Sequence, residues 1–254
     1  MPHSPWPFLD QPGPLAFAHR GGAGEWPENT MPAFENAVSL GYRYVETDVH
    51  ATADGVLVAF HDDSLDRVTD RSGKIADLPW STVAEARVDG REPIPRLDDL
   101  LGAWPDLRVN LDAKADRAVQ PLAEVVRRTG SLERVCVGSF SGARLTEMRR
   151  LLPGVCTSSG PLAIGRLWLA GFGVPLGRPA AACAQVPVRK GPVPVTTRRF
   201  VEAAHRRALQ VHVWTIDDPA EMTRLLDLGV DGLMTDLPAV LKEVLVRRGE
   251  WVGS

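Results

Sequence analysis

The feature that most limits what this chain can fold into is an alternation of apolar, strand-like runs with helical stretches that persists along most of its length. It is clearest near the C-terminus, where a strand over 210–216, a helix over 219–228, a strand over 231–235 and a helix over 238–246 follow without interruption. Earlier the same spacing predicts a strand over 15–18, a helix over 31–40 with Thr30 at its N-cap, a strand over 42–50 and, after the turn Ala53-Asp54-Gly55, a run over 56–60. Residues 63–96 are polar and turn-rich and read as an insertion, with one helical stretch over 81–86. Alternation then resumes with helices over 97–103, 116–129 and 141–151, the last capped by Ser141, and strands over 107–112, 134–140 and 155–159. The apolar stretch 161–177 has mixed spacing and reads as a helix or a partly exposed loop. A strand over 181–186, a loop over 189–195 and a helix over 197–207 complete the set. About eight β/α units in a chain of 254 residues predict an α/β protein, a single (β/α)8 TIM barrel spanning 1–254 with a small insertion. An open doubly wound sheet is the competitor, but HRGGAG at 19–24 does not match the glycine-rich phosphate turn that fold would carry.

Reactive side chains gather at the strand ends. The first strand delivers His19 and Arg20, and Gly21, Gly22 and Gly24 let the backbone turn away. In the second, Glu46 and Asp48 lie two residues apart, so both carboxylates and Tyr44 face the barrel interior while Val45, Thr47 and Val49 face the helices. The run over 56–60 ends in His61 and Asp62. Two histidines ending strands beside an acidic pair read as a site rather than as loop bonding. Two like charges inside a barrel need a counter-charge. A divalent cation on hard oxygen ligands, magnesium or calcium, supplies it, and ion pairing with Arg20 or Lys114 is the alternative. On the strand that starts at Leu107, Asn110, Asp112 and Lys114 share one face, which makes Asp112 a third ligand and Lys114 a phosphate contact. Trp214 reads equally as lining the pocket mouth or as core, and His50, Asp54 and Asp63 as turn residues.

Composition narrows the class. The net charge of −3 gives no global basic field, and no local basic patch is apparent, so nucleic acid is not an expected partner. Cys136, Cys156 and Cys183 sit in apolar runs with neither CxxC spacing nor an even count, which predicts reduced, buried thiols in a cytoplasmic protein and neither disulfide nor zinc. The proline-rich start over 1–15 lacks a cationic segment and an apolar core and reads as a lead-in, not a signal. No uninterrupted apolar run is long enough to span a membrane.

With HRGG at 19–22, PENT at 27–30, ETDV at 46–49, DG at 54–55 and HD at 61–62, the chain resembles the glycerophosphodiester phosphodiesterase family. The likeness continues through the insertion containing Arg67, LDAK at 111–114, VHVWTIDD at 211–218 and GVDGLMTDLP at 229–238. It implies a (β/α)8 barrel that hydrolyses a small-molecule glycerophosphodiester to sn-glycerol 3-phosphate and an alcohol with a divalent metal. Carried onto this sequence, it implies His19 and His61 as the general acid/base pair, Glu46 and Asp48 as metal ligands and Arg20 on the phosphate, with Glu28 and Asn29 shaping the loop. The family's usual third ligand is glutamate, and Asp112 stands in its place, one methylene shorter. Arg96 replaces a usual threonine. The acidic triad is also similar to that of toxin-like phospholipases D, so a lysophospholipase D-like activity on lipids stays open. A barrel that binds a phosphodiester without turnover, and an aldolase-like barrel with Lys114 as Schiff-base nucleophile, are the remaining alternatives.

Overall fold

The structure is a computed structural model that describes residues 4–175 and 177–253. Strand β1 (Leu15–His19) leads to helix α1 (Met31–Ser39), and β2 (Tyr44–Ala51) turns into the short β3 (Leu57–Ala59). The insertion holds α2 (Trp80–Val83) and a hairpin of β4 (Arg87–Val88) and β5 (Glu92–Pro93), before α3 (Leu97–Ala103). Then come β6 (Arg108–Ala113), α4 (Val119–Arg128), β7 (Val135–Gly138), α5 (Gly142–Leu151), β8 (Cys156–Thr157) and α6 (Pro161–Ala170). The last part runs β9 (Cys183–Pro187), a hairpin of β10 (Arg189–Lys190) and β11 (Val193–Pro194), α7 (Arg198–His205), β12 (Gln210–Trp214), α8 (Pro219–Leu228), β13 (Gly232–Thr235) and α9 (Pro238–Arg248).

Eight of the strands lie side by side in the order β8, β7, β6, β2, β1, β13, β12, β9, with every neighbouring pair parallel. A parallel bridge between Ser158 and Cys183 joins the two ends, so the sheet closes into a barrel and the open-sheet alternative fails. Side-chain parity divides the core as strand geometry requires. Val45, Val49, Val109 and Leu111 point outward and are buried against helix residues such as Leu100, Leu122 and Phe200. Phe17, Tyr44, Met234 and all three cysteines fill the interior, where Cys136 Sγ lies 4.0 Å from Cys183 Sγ. Helix starts follow ordinary capping chemistry: Ser141, Thr197 and Asp218 each accept a backbone N–H from the first turn. Thr30 sits at the N-cap of α1 without capping it, because its hydroxyl donates instead to the Pro27 carbonyl at 2.7 Å.

Four readings gain detail. The run over 56–60 supplies no barrel strand: β3 pairs antiparallel with the overhanging end of β2, Val49 opposite Ala59, and so brings the chain back to the mouth. The segment 189–195 is a hairpin rather than a loop, and the insertion is more than a polar excursion. It has its own small core of Val58, Phe60, Leu65, Ile75, Val83 and Val88. The lead-in does structural work as well, while its first residues, Met1–His3, lie outside the described residues. Phe8 packs edge-on to Tyr44 with ring centroids 5.4 Å apart, and the Tyr44 hydroxyl donates to the Phe8 carbonyl at 2.9 Å. Phe8 and Leu9 thereby plug the N-terminal end of the barrel, each burial contributing about 1.5–3 kcal/mol.

Candidate active site

The mouth at the C-terminal ends of the strands is assembled first by a tight turn. After β1 the backbone enters left-handed conformations at Arg20, Gly21 and Gly22, with φ of 50°, 82° and 107°. A Cβ on Gly21 would stand 2.8 Å from the Ala33 Cβ, so only glycine lets α1 pack this close. The same turn meets the loop after β13, where the Gly24 N–H donates to the Asp236 carbonyl at 2.9 Å. Since Ala18 pairs with Thr235 across β1 and β13, the next residues, His19 and Asp236, stand side by side. His19 Nδ1 lies 2.6 Å from Asp236 Oδ1, and its Nε2 lies 3.7 Å from Glu46 Oε2. Burial pushes the His19 pKa down, but Glu46 and Asp236 outweigh it and hold the ring above the ordinary histidine value. Asp217 braces Asp236 from behind, accepting its backbone N–H and the Thr235 hydroxyl, both at 2.8 Å.

His61 arrives from β3. The Phe60 N–H donates to the Asp48 carbonyl at 2.9 Å, and the His50 ring reaches the His61 carbonyl at 3.1 Å through Nε2. His61 Nδ1 then meets Asp62 Oδ1 at 2.6 Å, repeating the carboxylate arrangement on His19. Asp62 in turn binds Arg67 Nε at 2.5 Å, and that guanidinium holds Asp62 down at about 2. Arg67 also grips Glu28 with both terminal nitrogens, at 3.0 and 2.7 Å, and Glu28 reaches Arg20 at 3.2 Å. The insertion is therefore tied to the β1 loop by alternating charges, and both histidines keep Nε2 as the nitrogen left to exchange a proton. Asn29 is buried behind this loop and accepts the Thr47 hydroxyl at 2.7 Å.

Glu46, Asp48 and Asp112 meet between β2 and β6, where Asp48 and Asp112 are directly paired in register. Glu46 is pushed up to about 7 by burial and by the Asp48 charge. Lys114 Nζ sits between the aspartates, 2.7 Å from Asp48 Oδ1 and 2.9 Å from Asp112 Oδ2, and Arg20 Nε lies 3.4 Å from Asp48 Oδ2. Burial would lower the Lys114 pKa, but the two aspartates raise it above the ordinary lysine value, which disarms the amine as a Schiff-base nucleophile. Among the described residues no three metal-ligating side chains are gathered into a ready cage. The donor chemistry nevertheless fits a hard divalent cation. All donors are carboxylate oxygens, and Asp48 Oδ2 and Asp112 Oδ1 are buried without a hydrogen-bond partner.

Trp214 ends β12 at the rim, half-buried, with Phe140 from the loop after β7 standing edge-on at 5.9 Å between centroids. Arg96 occupies the N-cap position of α3 without a side-chain cap bond, and its guanidinium lies 3.9 Å from Asp98. The structure thus brings together His19, Arg20, Glu46, Asp48, His61, Asp112 and Lys114, and puts Trp214 at the edge. Sequence reasoning missed Asp236 entirely and misread His50 as a turn residue: it is buried within β2, where it supports His61.

The closed parallel barrel carries two carboxylate-held histidines and a buried acidic cluster at its mouth, and the proteins it resembles are phosphodiesterases. The model of the glycerophosphoryl diester phosphodiesterase family matches residues 19–240. A Mycobacterium tuberculosis protein named probable glycerophosphodiester phosphodiesterase 2 is 43% identical, covering 97% of this chain and 96% of its own. Among solved structures, a crystal structure from Silicibacter pomeroyi superposes with a TM-score of 0.82 at 24% identity, covering 96% of this chain and 98% of that one. An Oleispira antarctica phosphodiesterase in complex with the product sn-glycerol-3-phosphate superposes with a TM-score of 0.79 at 22% identity, covering 92% and 97%. The chain belongs to the glycerophosphoryl diester phosphodiesterase family.

Proposed function

We propose that this chain hydrolyses glycerophosphodiesters to sn-glycerol 3-phosphate and an alcohol, with His19 and His61 as the acid/base pair. The observation that carries the reading is the duplicated carboxylate support, Asp236 and Asp62 each 2.6 Å from a histidine Nδ1. A phosphodiester is an anion that resists attack, so its charge must be neutralised and its nucleophile and leaving oxygen served by proton transfer. Arg20 and Lys114 supply cationic contacts to the phosphate. One histidine takes a proton through Nε2 from the attacking water, and the other gives one to the departing alcohol oxygen; where the neighbouring glycerol hydroxyl attacks instead, the cyclic phosphate it forms is opened by water in a second pair of the same proton transfers, which yields glycerol 3-phosphate. Their Nδ1 carboxylates fix both ring orientations and stabilise the imidazolium that forms or discharges. Glu46, Asp48 and Asp112 would hold the magnesium or calcium ion, with Lys114 moving off the aspartates toward the phosphate. Such an ion supplies Lewis-acid polarisation of a phosphoryl oxygen.

The full set of proton-transfer groups argues against a barrel that merely binds. The exposed Phe140 ring against Trp214 favours, as a second reading, an apolar or lipid alcohol moiety of the lysophospholipase D kind. The test is release of glycerol 3-phosphate from glycerophosphocholine by the purified chain and by His19→Ala and His61→Ala. Each variant should lose about 10² to 10⁴-fold in kcat. A p-nitrophenyl phosphodiester, which needs no proton on its leaving oxygen, should rescue only the histidine that acts as acid. Less than a tenfold loss in either variant, or equal rescue of both, would refute the two-histidine reading.

A further inference from the structure

Between Glu147 and Glu202 the sequence contains no Asp or Glu, although the chain as a whole carries a net charge of −3. Within that span Arg166, Arg178, Arg189, Lys190, Arg198 and Arg199 are exposed, and among the described residues none of them is paired with a carboxylate. The same span exposes large apolar side chains: Leu162 at 71%, Phe172 at 56%, and Leu169, Val174 and Val193 to lesser degrees. Unpaired cations and bare apolar groups have merged on one surface, a local basic patch that the sequence reading did not find. We propose that α6, the residues leaving it and the β10–β11 hairpin form a docking surface for an anionic phospholipid bilayer.

The placement of α6 supports this. A side-chain carbon on Gly160, just before the helix, would come within 3.2 Å of Gly142 at the start of α5. One on Gly171, just after it, would come within 3.2 Å of the Arg199 carbonyl in the first turn of α7. Helices α5 and α7 both begin on the mouth side of the barrel, so both ends of α6 lie on that side, while the helix between them packs against α7. Leu167 and Ala170 face inward and are buried, while Leu162, Arg166 and Leu169, spaced i, i+4, i+7, line the outer face. The hairpin continues that surface. The Trp168 Nε1–H donates to the Pro194 carbonyl at 3.1 Å, the Trp168 ring lies 4.7 Å from Phe172, and the Arg199 guanidinium lies 5.5 Å from the Phe172 centroid. Phe140 extends the apolar edge toward Trp214 at the pocket.

A bilayer surface satisfies both halves of this composition. Apolar side chains enter the headgroup and acyl boundary while arginine and lysine meet anionic phosphates around them. A nucleic acid would answer the cations and leave Leu162 and Phe172 in water. No helix among the described residues is long and apolar enough to cross a membrane, so the contact is peripheral. It sets the catalytic mouth against the surface from which phosphodiesters with lipid tails would be drawn.

Vesicle flotation of the full chain tests this, with phosphatidylcholine alone and with about one third phosphatidylglycerol. Binding is read without turnover, so failure here leaves the hydrolysis reading standing, and loss of hydrolysis leaves this one standing. The expected result is flotation with the anionic vesicles only, weakened as salt rises from about 0.1 to 0.5 M. Arg189→Glu/Lys190→Glu and, separately, Leu162→Asp/Phe172→Asp should each lower vesicle affinity at least about tenfold. Both should keep the parental kcat on soluble glycerophosphocholine and the parental melting temperature. If the aspartates disturb the fold, Leu162→Ser/Phe172→Ser takes their place. Absence of flotation, equal flotation with neutral vesicles, or full binding by the apolar variants overturns the proposal. So does a duplex oligonucleotide that displaces the vesicles equally well from parent and apolar variant.

Discussion

Replacing Asp236 with Asn removes one charge from the site while keeping the shape of the side chain. Asp236 Oδ1 lies 2.6 Å from His19 Nδ1, at the short end for a charge-assisted hydrogen bond, and such bonds contribute about 1.5–3 kcal/mol. If that energy is realised only as the imidazolium forms, its loss lowers kcat by about 10 to 150-fold at 1.36 kcal/mol per tenfold. The amide adds a second cost. It can present its NH2 to Nδ1, which puts the neutral ring's proton on Nε2, the nitrogen that must accept one if His19 is the base, and it leaves the imidazolium without its counter-charge if His19 is the acid. An amide in place of a triad carboxylate costs about 10⁴-fold for this reason, so the expected fall in kcat is about 10² to 10⁴-fold. The fold should survive, because the contacts that hold the loop are backbone ones: the Asp236 N–H on Asp217 and the Asp236 carbonyl accepting from Gly24. Steady-state kinetics on glycerophosphocholine with saturating metal, alongside a thermal melt, make the assay. KM should stay within about threefold, since Asp236 reaches the substrate only through His19. A variant that keeps kcat within about fivefold, or that raises KM alone, would refute the positioning role.

Chelation with EDTA should abolish activity and magnesium or calcium restore it, and full activity in a rigorously metal-free preparation would contradict the carboxylate assignment. Glu46→Gln should weaken calorimetric metal binding with little change in melting temperature, because burial and the neighbouring Asp48 charge already disfavour the ionised carboxylate in the metal-free fold. Lys114→Met should lower the melting temperature in EDTA, since it leaves the buried Asp48 without its 2.7 Å ammonium. Added metal should then raise the melting temperature more in the variant than in the parent, and equal rises would show that Lys114 and the ion do not share the aspartates. Far from the mouth, His205 Nε2 lies 2.8 Å from Asp231, and that hydrogen bond raises the His205 pKa. A raised histidine stabilises below its unfolded value of about 6.5, and the benefit disappears as pH rises through the folded value. His205→Gln should therefore cost up to about 1 kcal/mol at pH ~5.5, discounted for solvent exposure, and almost nothing at pH ~9. An equal change in urea midpoint at both pH values would exclude the charged pair.

What could be read from the sequence was whatever obeys a local period. Alternation along β2 put Tyr44, Glu46 and Asp48 inside and Val45, Thr47 and Val49 outside, as the structure has them. The same parity, carried one step further, places His50 inside as well. The expected strand over 42–50 already contains His50, but the turn residues at 53–55 give no sign that the run after them folds back onto β2 and hands His50 its partner, the His61 carbonyl. No local rule could have found the Arg67–Glu28 contact, because it joins two irregular loops whose meeting depends on the path of the insertion. The stretch over 161–177 was ambiguous for a physical reason: α6 buries one face and leaves apolar residues on the other, so no amphipathic period emerges.

Asp236 is a different kind of miss, because the information was present but not local. In a closed eight-stranded barrel the first and last strands are neighbours, so a residue at the end of one must meet a residue at the end of the other. Once 15–18 and 231–235 are recognised as those two strands, aligning their ends opposes Ala18 to Thr235 and His19 to Asp236, across a gap of 217 positions. His61 needed no such closure, since its carboxylate is the adjacent residue. The two histidines are thus held alike by unlike means, one through local sequence and one through the topology of the whole chain. Disturbing the seam between β1 and β13 should therefore impair His19 and leave the His61–Asp62 pair in place.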